Sequence, residues 1–169
     1  MQSGGRHLSC LPTHSITWAA DAIVWDLARQ HHCLIMPKEH VNPRTLFPSV
    51  PHGFSQIVVA SGRKTAFISG QTAWDAQKRI IGGVSLLEQA RQALRNVQAA
   101  IEATGGTLKD VVALRIYIVN YQAESAKAVG SALGEFFSRE NPPASTWIGV
   151  SALAVPDFLI EIEATAVLD

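Results

Sequence analysis

Cysteine is nearly absent from this chain of 169 residues. Cys10 and Cys33 are the whole complement, and none follows Met36. No C-x-x-C occurs, and two upstream thiols make no disulfide framework. Thiol chemistry is therefore excluded from residues 36–169. Charge is scarce as well: 17% of residues are charged, against roughly 25% in ordinary domains. The 14 Lys and Arg balance 14 Asp and Glu. A chain with no positive surplus lacks the counterion-release drive of a non-specific nucleic-acid binder. It also lacks the polybasic signature of a membrane-surface protein. No apolar run approaches the ~18 residues of a transmembrane helix. No charged start leads into an apolar stretch and a small-residue cleavage site. The expectation is a cytoplasmic protein without nucleic-acid or membrane partners. The hydrophobic share, 47%, is ordinary, which fits surface lost to self-association.

What is present is unevenly spread. Four of the six histidines (His7, His14, His31, His32) and two of the four tryptophans (Trp18, Trp25) fall in residues 1–35. The run His31-His32-Cys33 invites a metal reading, but three adjacent residues cannot all turn to one ion, and no partner cluster is near in sequence. Residues 1–35 read as an N-terminal extension, disordered or lying upstream of a mis-set start, because Met36-Pro37-Lys38 offers an alternative beginning. Residues 36–169 read as one domain, long enough to bury a core.

From Pro37 the sequence becomes regular. Residues 37–53 are proline-rich and read as an irregular lead-in. The apolar runs 54–60 and 65–69, joined by Ser61-Gly62-Arg63-Lys64, read as a hairpin. Gly70-Gln71-Thr72 is expected to leave the sheet. Residues 85–104 carry apolar positions at helical spacing: Leu87, Ala90, Leu94, Val97 and Ile101. Ser85 with Glu88 has the form of a capping box, and Gly105-Gly106 supplies the stop. A strand is predicted over 111–119, a second helix over 123–139, a strand over 145–150, and a last strand over 158–168. Two amphipathic helices with a mixed set of strands predict an α+β layer, the helices on one face of a mixed sheet.

Alternation along the strands assigns the faces. Ile160, Ile162 and Ala164 on the last strand, and Leu114, Ile116 and Ile118 on the middle one, are expected under the helices. Arg115, Tyr117, Val119, Glu161, Glu163 and Thr165 take the other face, a candidate for burial against a second copy. Two carboxylates two residues apart raise each other's pKa unless a cation is near. Arg115 is therefore expected to pair with Glu161 or Glu163, either as a structural ion pair or as a pocket cation for a substrate carboxylate.

Six blocks now line up in order and spacing: Ile68-Ser69-Gly70-Gln71; Gln89 with Asn96-Val97; Gly105 with Asp110-Val111-Val112; Phe136-Phe137; Pro142-Pro143-Ala144-Ser145-Thr146; and Ile160 through Ala166. Over residues 37–169 the chain resembles the RidA/YjgF family, also called endoribonuclease L-PSP or reactive-intermediate deaminases. The resemblance implies a chorismate-mutase-like fold and a homotrimer, its sheets forming a central barrel with three clefts between subunits. For the family's active branch it implies cofactor-free, metal-free hydrolysis of enamines or imines such as 2-aminoacrylate, giving a 2-keto acid and ammonia.

That reaction needs a cation for the substrate carboxylate, best supplied by the arginine fork, and a carboxylate to handle the attacking water. The resemblance assigns the water to Glu161. It matches Phe54, Ser69, Gly70, Gln71 and Thr146 to cleft positions, with Trp147 beside Phe54 as an apolar wall. It places Ala144 where the family's arginine stands, after Pro-Ala in the block before the fourth strand, and Gly130 where an asparagine is often found. The chain thus reads as a member of an arginine-less branch. It is an imine or enamine hydrolase, or a non-catalytic trimer that binds a small metabolite. A ribonuclease is the weakest reading, given zero net charge and no histidine pair in the domain.

Overall fold

The computed structural model describes residues 38–169, so the expectations for residues 1–35 lie outside the described residues. The chain runs through β1 (Glu39–Val41), a 3-10 turn at Val50–His52, β2 (Ile57–Val59), β3 (Lys64–Gln71), α1 (Leu86–Glu102), a 3-10 turn at Leu108–Asp110, β4 (Val111–Val119), α2 (Ala123–Phe136), β5 (Ala144–Val150) and β6 (Ile160–Leu168). Four strands form one mixed sheet in the order β3-β6-β4-β5. β6 is antiparallel to both β3 and β4, and β4 and β5 are parallel.

The face assignment read from alternation holds. Ile160, Ile162, Ala164, Ala166 and Leu168 are buried on β6, and Leu114, Ile116 and Ile118 on β4. They join Ala90, Leu94, Val97 and Ile101 of α1 and Val129, Ala132 and Leu133 of α2 in one apolar core. Burying such side chains stabilises by roughly 1.5–3 kcal/mol each. Ser85 caps α1, its hydroxyl accepting from the Glu88 backbone N–H at 3.3 Å. The Glu88 carboxylate turns instead to Arg91, so the box is half made. Gly106 follows α1 because a Cβ there would lie 2.3 Å from Leu168 Cδ2.

Three expectations are corrected. The hairpin of residues 54–69 does not form: β2 pairs antiparallel with β1, and β3 pairs with β6. The Gly62 link explains the choice. It lies so close to the end of β6 that a Cβ would meet Leu168 O at 2.6 Å, and Arg63 N–H donates to the same carbonyl at 2.9 Å. The chain is therefore fixed to β6 before it can turn back on β2. Second, β3 continues through Gln71, with a bulge between Ile68 and Gln71. Third, α2 ends at Phe136, before the predicted Arg139. Phe137 is already extended, at φ −116°, and the chain stretches toward Pro142 and Pro143, which exclude helix.

Candidate functional site

The open face of the sheet carries the polar residues. Arg115 pairs across β4–β6 with Glu163 and across β4–β5 with Thr146. Its Nη1 donates to Glu163 Oε2 at 2.9 Å, and Tyr117 O–H donates to Glu163 Oε1 at 3.3 Å. The predicted ion pair is thus made with Glu163. The Tyr117 hydroxyl and the Glu163 carboxylate hold the Arg115 guanidinium above its ordinary pKa, so it stays charged at neutral pH. Over this pair lies a cavity of about 340 Å³ whose lining includes Phe54, Arg115, Ala144, Ser145, Thr146 and Glu163.

The Phe54 wall is fastened by its neighbour. Ser55 is buried, its N–H donates to Pro143 O at 3.2 Å, and its hydroxyl donates to Pro142 O at 2.7 Å. That hydroxyl proton is spent on Pro142, so His40 Nδ1, 3.0 Å from Ser55 Oγ, is the donor in their contact. Ser55 thus bridges to Ala144 beside β5. Nothing in the sequence marks it, because Pro142, whose carbonyl takes its hydroxyl proton, lies 87 positions away.

Ser69, Gly70, Gln71 and Glu161 lie outside the lining of this cavity. They form a second group where the β3 bulge meets β6. Bulges re-aim local groups, and here the Glu161 side chain lies across Gly70: a Cβ on Gly70 would be 1.7 Å from Glu161 Oε1. Gln71 Nε2 donates to Ser69 O at 3.0 Å. Glu161 projects from the same face as Glu163, two residues along β6, and has no ion-pair partner among the described residues. The two carboxylates differ in pairing: Glu163 faces Arg115, and Glu161 has no ion-pair partner among the described residues.

Trp147 is not a wall of the cavity. It packs against the core side, and its Nε1 donates to Ser145 Oγ at 2.9 Å. The register of the Pro142–Thr146 block also needs correcting. The residue following Pro143-Ala144 is Ser145, so the arginine's place falls there, one beyond Ala144. Neither residue is a cation and both line the cavity, so Arg115 is the only cation in its lining.

Among the described residues no group of three or more His, Cys, Asp or Glu is placed to hold a metal, and no helix is long and apolar enough to cross a membrane.

Residues 47–168 match the model of the endoribonuclease L-PSP family. The chain is 28% identical over 134 residues to a 2-iminobutanoate/2-iminopropanoate deaminase of Dermatophagoides farinae, covering 79% of this chain and 100% of the relative. It is 37% identical over 100 residues to a RutC family protein of Pyrococcus horikoshii, covering 59% and 76%. Among solved structures, the Rid-family protein YyfB of Yersinia pestis superposes with a TM-score of 0.74 at 44% identity, covering 79% of this chain and all of that one. With the mixed sheet, the two helices on one face and the ordered sequence blocks, these matches establish that the chain belongs to the RidA/YjgF (endoribonuclease L-PSP) family.

Proposed function

We propose that this protein is a cofactor-free hydrolase of small imines or enamines bearing a carboxylate, and that Arg115 supplies the cation missing after Pro143-Ala144. The observation that carries the reading is the division of labour on the open face. Arg115 spends one N–H on Glu163, leaving donors of its fork toward the cavity, where a substrate carboxylate binds with bidentate geometry. Glu161 is the carboxylate left for water. It takes a proton from water as the oxygen bonds to the imine carbon, and the C=N π pair moves to nitrogen. The proton held by Glu161 passes to that nitrogen, giving a carbinolamine. Glu161 then moves the carbinol O–H proton to the same nitrogen, so the O–H pair forms the keto C=O as the C–N bond breaks and ammonia leaves with the C–N pair. Thr146 and the Gly70 backbone orient the substrate, and Phe54 covers its apolar part.

The two groups of residues work together in clefts of a homotrimer, with the open sheet faces turned to the shared interior. Phe67, 83% exposed on β3, is the apolar side chain such an interface would cover. The deaminase relative supports the reaction class. The absence of a cation at Ala144 and Ser145 supports a second reading: a trimer that binds a metabolite without turning it over.

Incubation with imines made in situ by an amino-acid oxidase separates the two. Release of keto acid and ammonia that Glu161→Ala abolishes is the expected result. A ligand bound in the cleft with no release from any imine would favour the binding trimer.

A further inference from the structure

The reading above leaves unused a larger cavity, about 540 Å³, between the Val50–His52 turn and α2. Its lining contains three basic side chains, His52, Lys127 and Arg139, and no carboxylate. No described carboxylate lies within ion-pairing distance of Lys127 or Arg139. Leu133, Phe137 and Pro142 form an apolar wall. α2 offers bare backbone as the floor. A Cβ on Gly130 would meet nothing within 4 Å, and one on Gly134 would meet only the Arg139 guanidinium, at 3.7–3.8 Å. Arg139 therefore folds back across glycine. Cations without counter-charges, set beside an apolar wall, are the complement of an anion with an apolar body.

We propose that this groove is a binding site for a small organic oxyanion, a phosphate or carboxylate on a compact apolar body. Lys127 and Arg139 take the charge, and Leu133, Phe137 and Pro142 take the body. The site is separate from the Arg115 cavity. The two lie on either side of the Ser55–Pro142 hydrogen bond, with Ser55 lining one and Pro142 the other.

Calorimetric titration of the full chain with phenyl phosphate and with benzoate tests it, with phenol as the uncharged control. Saturable binding of at least one anion, weakened by salt, with none for phenol, is expected. The double variant Lys127→Ala/Arg139→Ala should bind about tenfold more weakly or worse. Both side chains are exposed, so the fold is spared. Because a carboxylate can also reach Arg115, the groove substitutions are made in an Arg115→Met background, which should keep groove binding; there Gly130→Leu should fill the groove and remove it. Any of three results overturns the proposal: no saturable binding by the natural chain, undiminished binding when the groove substitutions are added to Arg115→Met, or no binding left in Arg115→Met alone.

Discussion

At Gly70 the missing side chain makes room for Glu161, the carboxylate proposed to handle water. Any Cβ there would sit 1.7 Å from Glu161 Oε1 and 2.5 Å from its Cδ. The clash is with the free end of a side chain, so Gly70→Ala should fold normally and push Glu161 aside. We expect imine hydrolysis to fall by about 10²–10⁴, the usual worth of a positioned general base, with an unchanged thermal midpoint by circular dichroism. Arg115 and Glu163 were legible as a pair because alternation put them on one face. Which carboxylate Arg115 would take was not, because that depends on cross-strand register. Ser55 was not legible at all: its buried hydroxyl has meaning only beside Pro142, whose position in space the local sequence does not contain.

At the scale of elements, β4, β6 and α1 could be read almost to their ends, because each repeats an apolar period against a single core. The β2–β3 hairpin could not. Both runs are β-branched and close in sequence, but pairing is a choice among partners, and the end of β6 captures β3 at Gly62. Gln89 shows the same non-local logic. Fully buried in α1, it donates to Gly83 O at 2.6 Å and Asp157 O at 2.8 Å and accepts from Leu159 N–H at 2.9 Å. It thereby fixes the approach to β6, two residues before Glu161.

The two helices are tied by Arg91, whose Nε donates to Glu135 Oε2 at 2.9 Å. The hydrogen bonds from Arg91 hold the Glu135 carboxyl below its ordinary pKa. Its contribution to stability is therefore complete at neutral pH, above the unfolded carboxyl's pKa. It fades as pH falls through the lower folded value. Glu135→Gln should lower the urea midpoint at neutral pH and match the natural chain in strong acid, where both are uncharged at this site. An equal deficit at both pH values would mean the clamp is not electrostatic.

At the scale of the molecule, one sheet face is covered by helices and the other is not. That open face holds Phe67, Tyr117 and Val119 among its charges, a composition suited to a second copy. Phe67→Glu should leave the monomer fold intact, because the side chain is 83% exposed in one chain, and should shift sedimentation from the proposed trimer to monomer. A chain beginning at Met36 should fold, assemble and hydrolyse imines like the full chain; losing any of these would assign residues 1–35 a structural part. Charge balance had already argued against nucleic acid, while the proposed assembly would use a face whose pattern is visible in alternation and whose partner is not.

The most direct test of the account is kcat and KM for hydrolysis of 2-iminopropanoate by the natural chain, Glu161→Ala and Arg115→Met. The account predicts a kcat loss of about 100-fold or more for Glu161→Ala. For Arg115→Met it predicts a KM raised about ten- to a hundredfold with kcat largely kept, the signature of a lost carboxylate anchor. Hydrolysis undiminished in Glu161→Ala, or a KM unmoved in Arg115→Met, would contradict it.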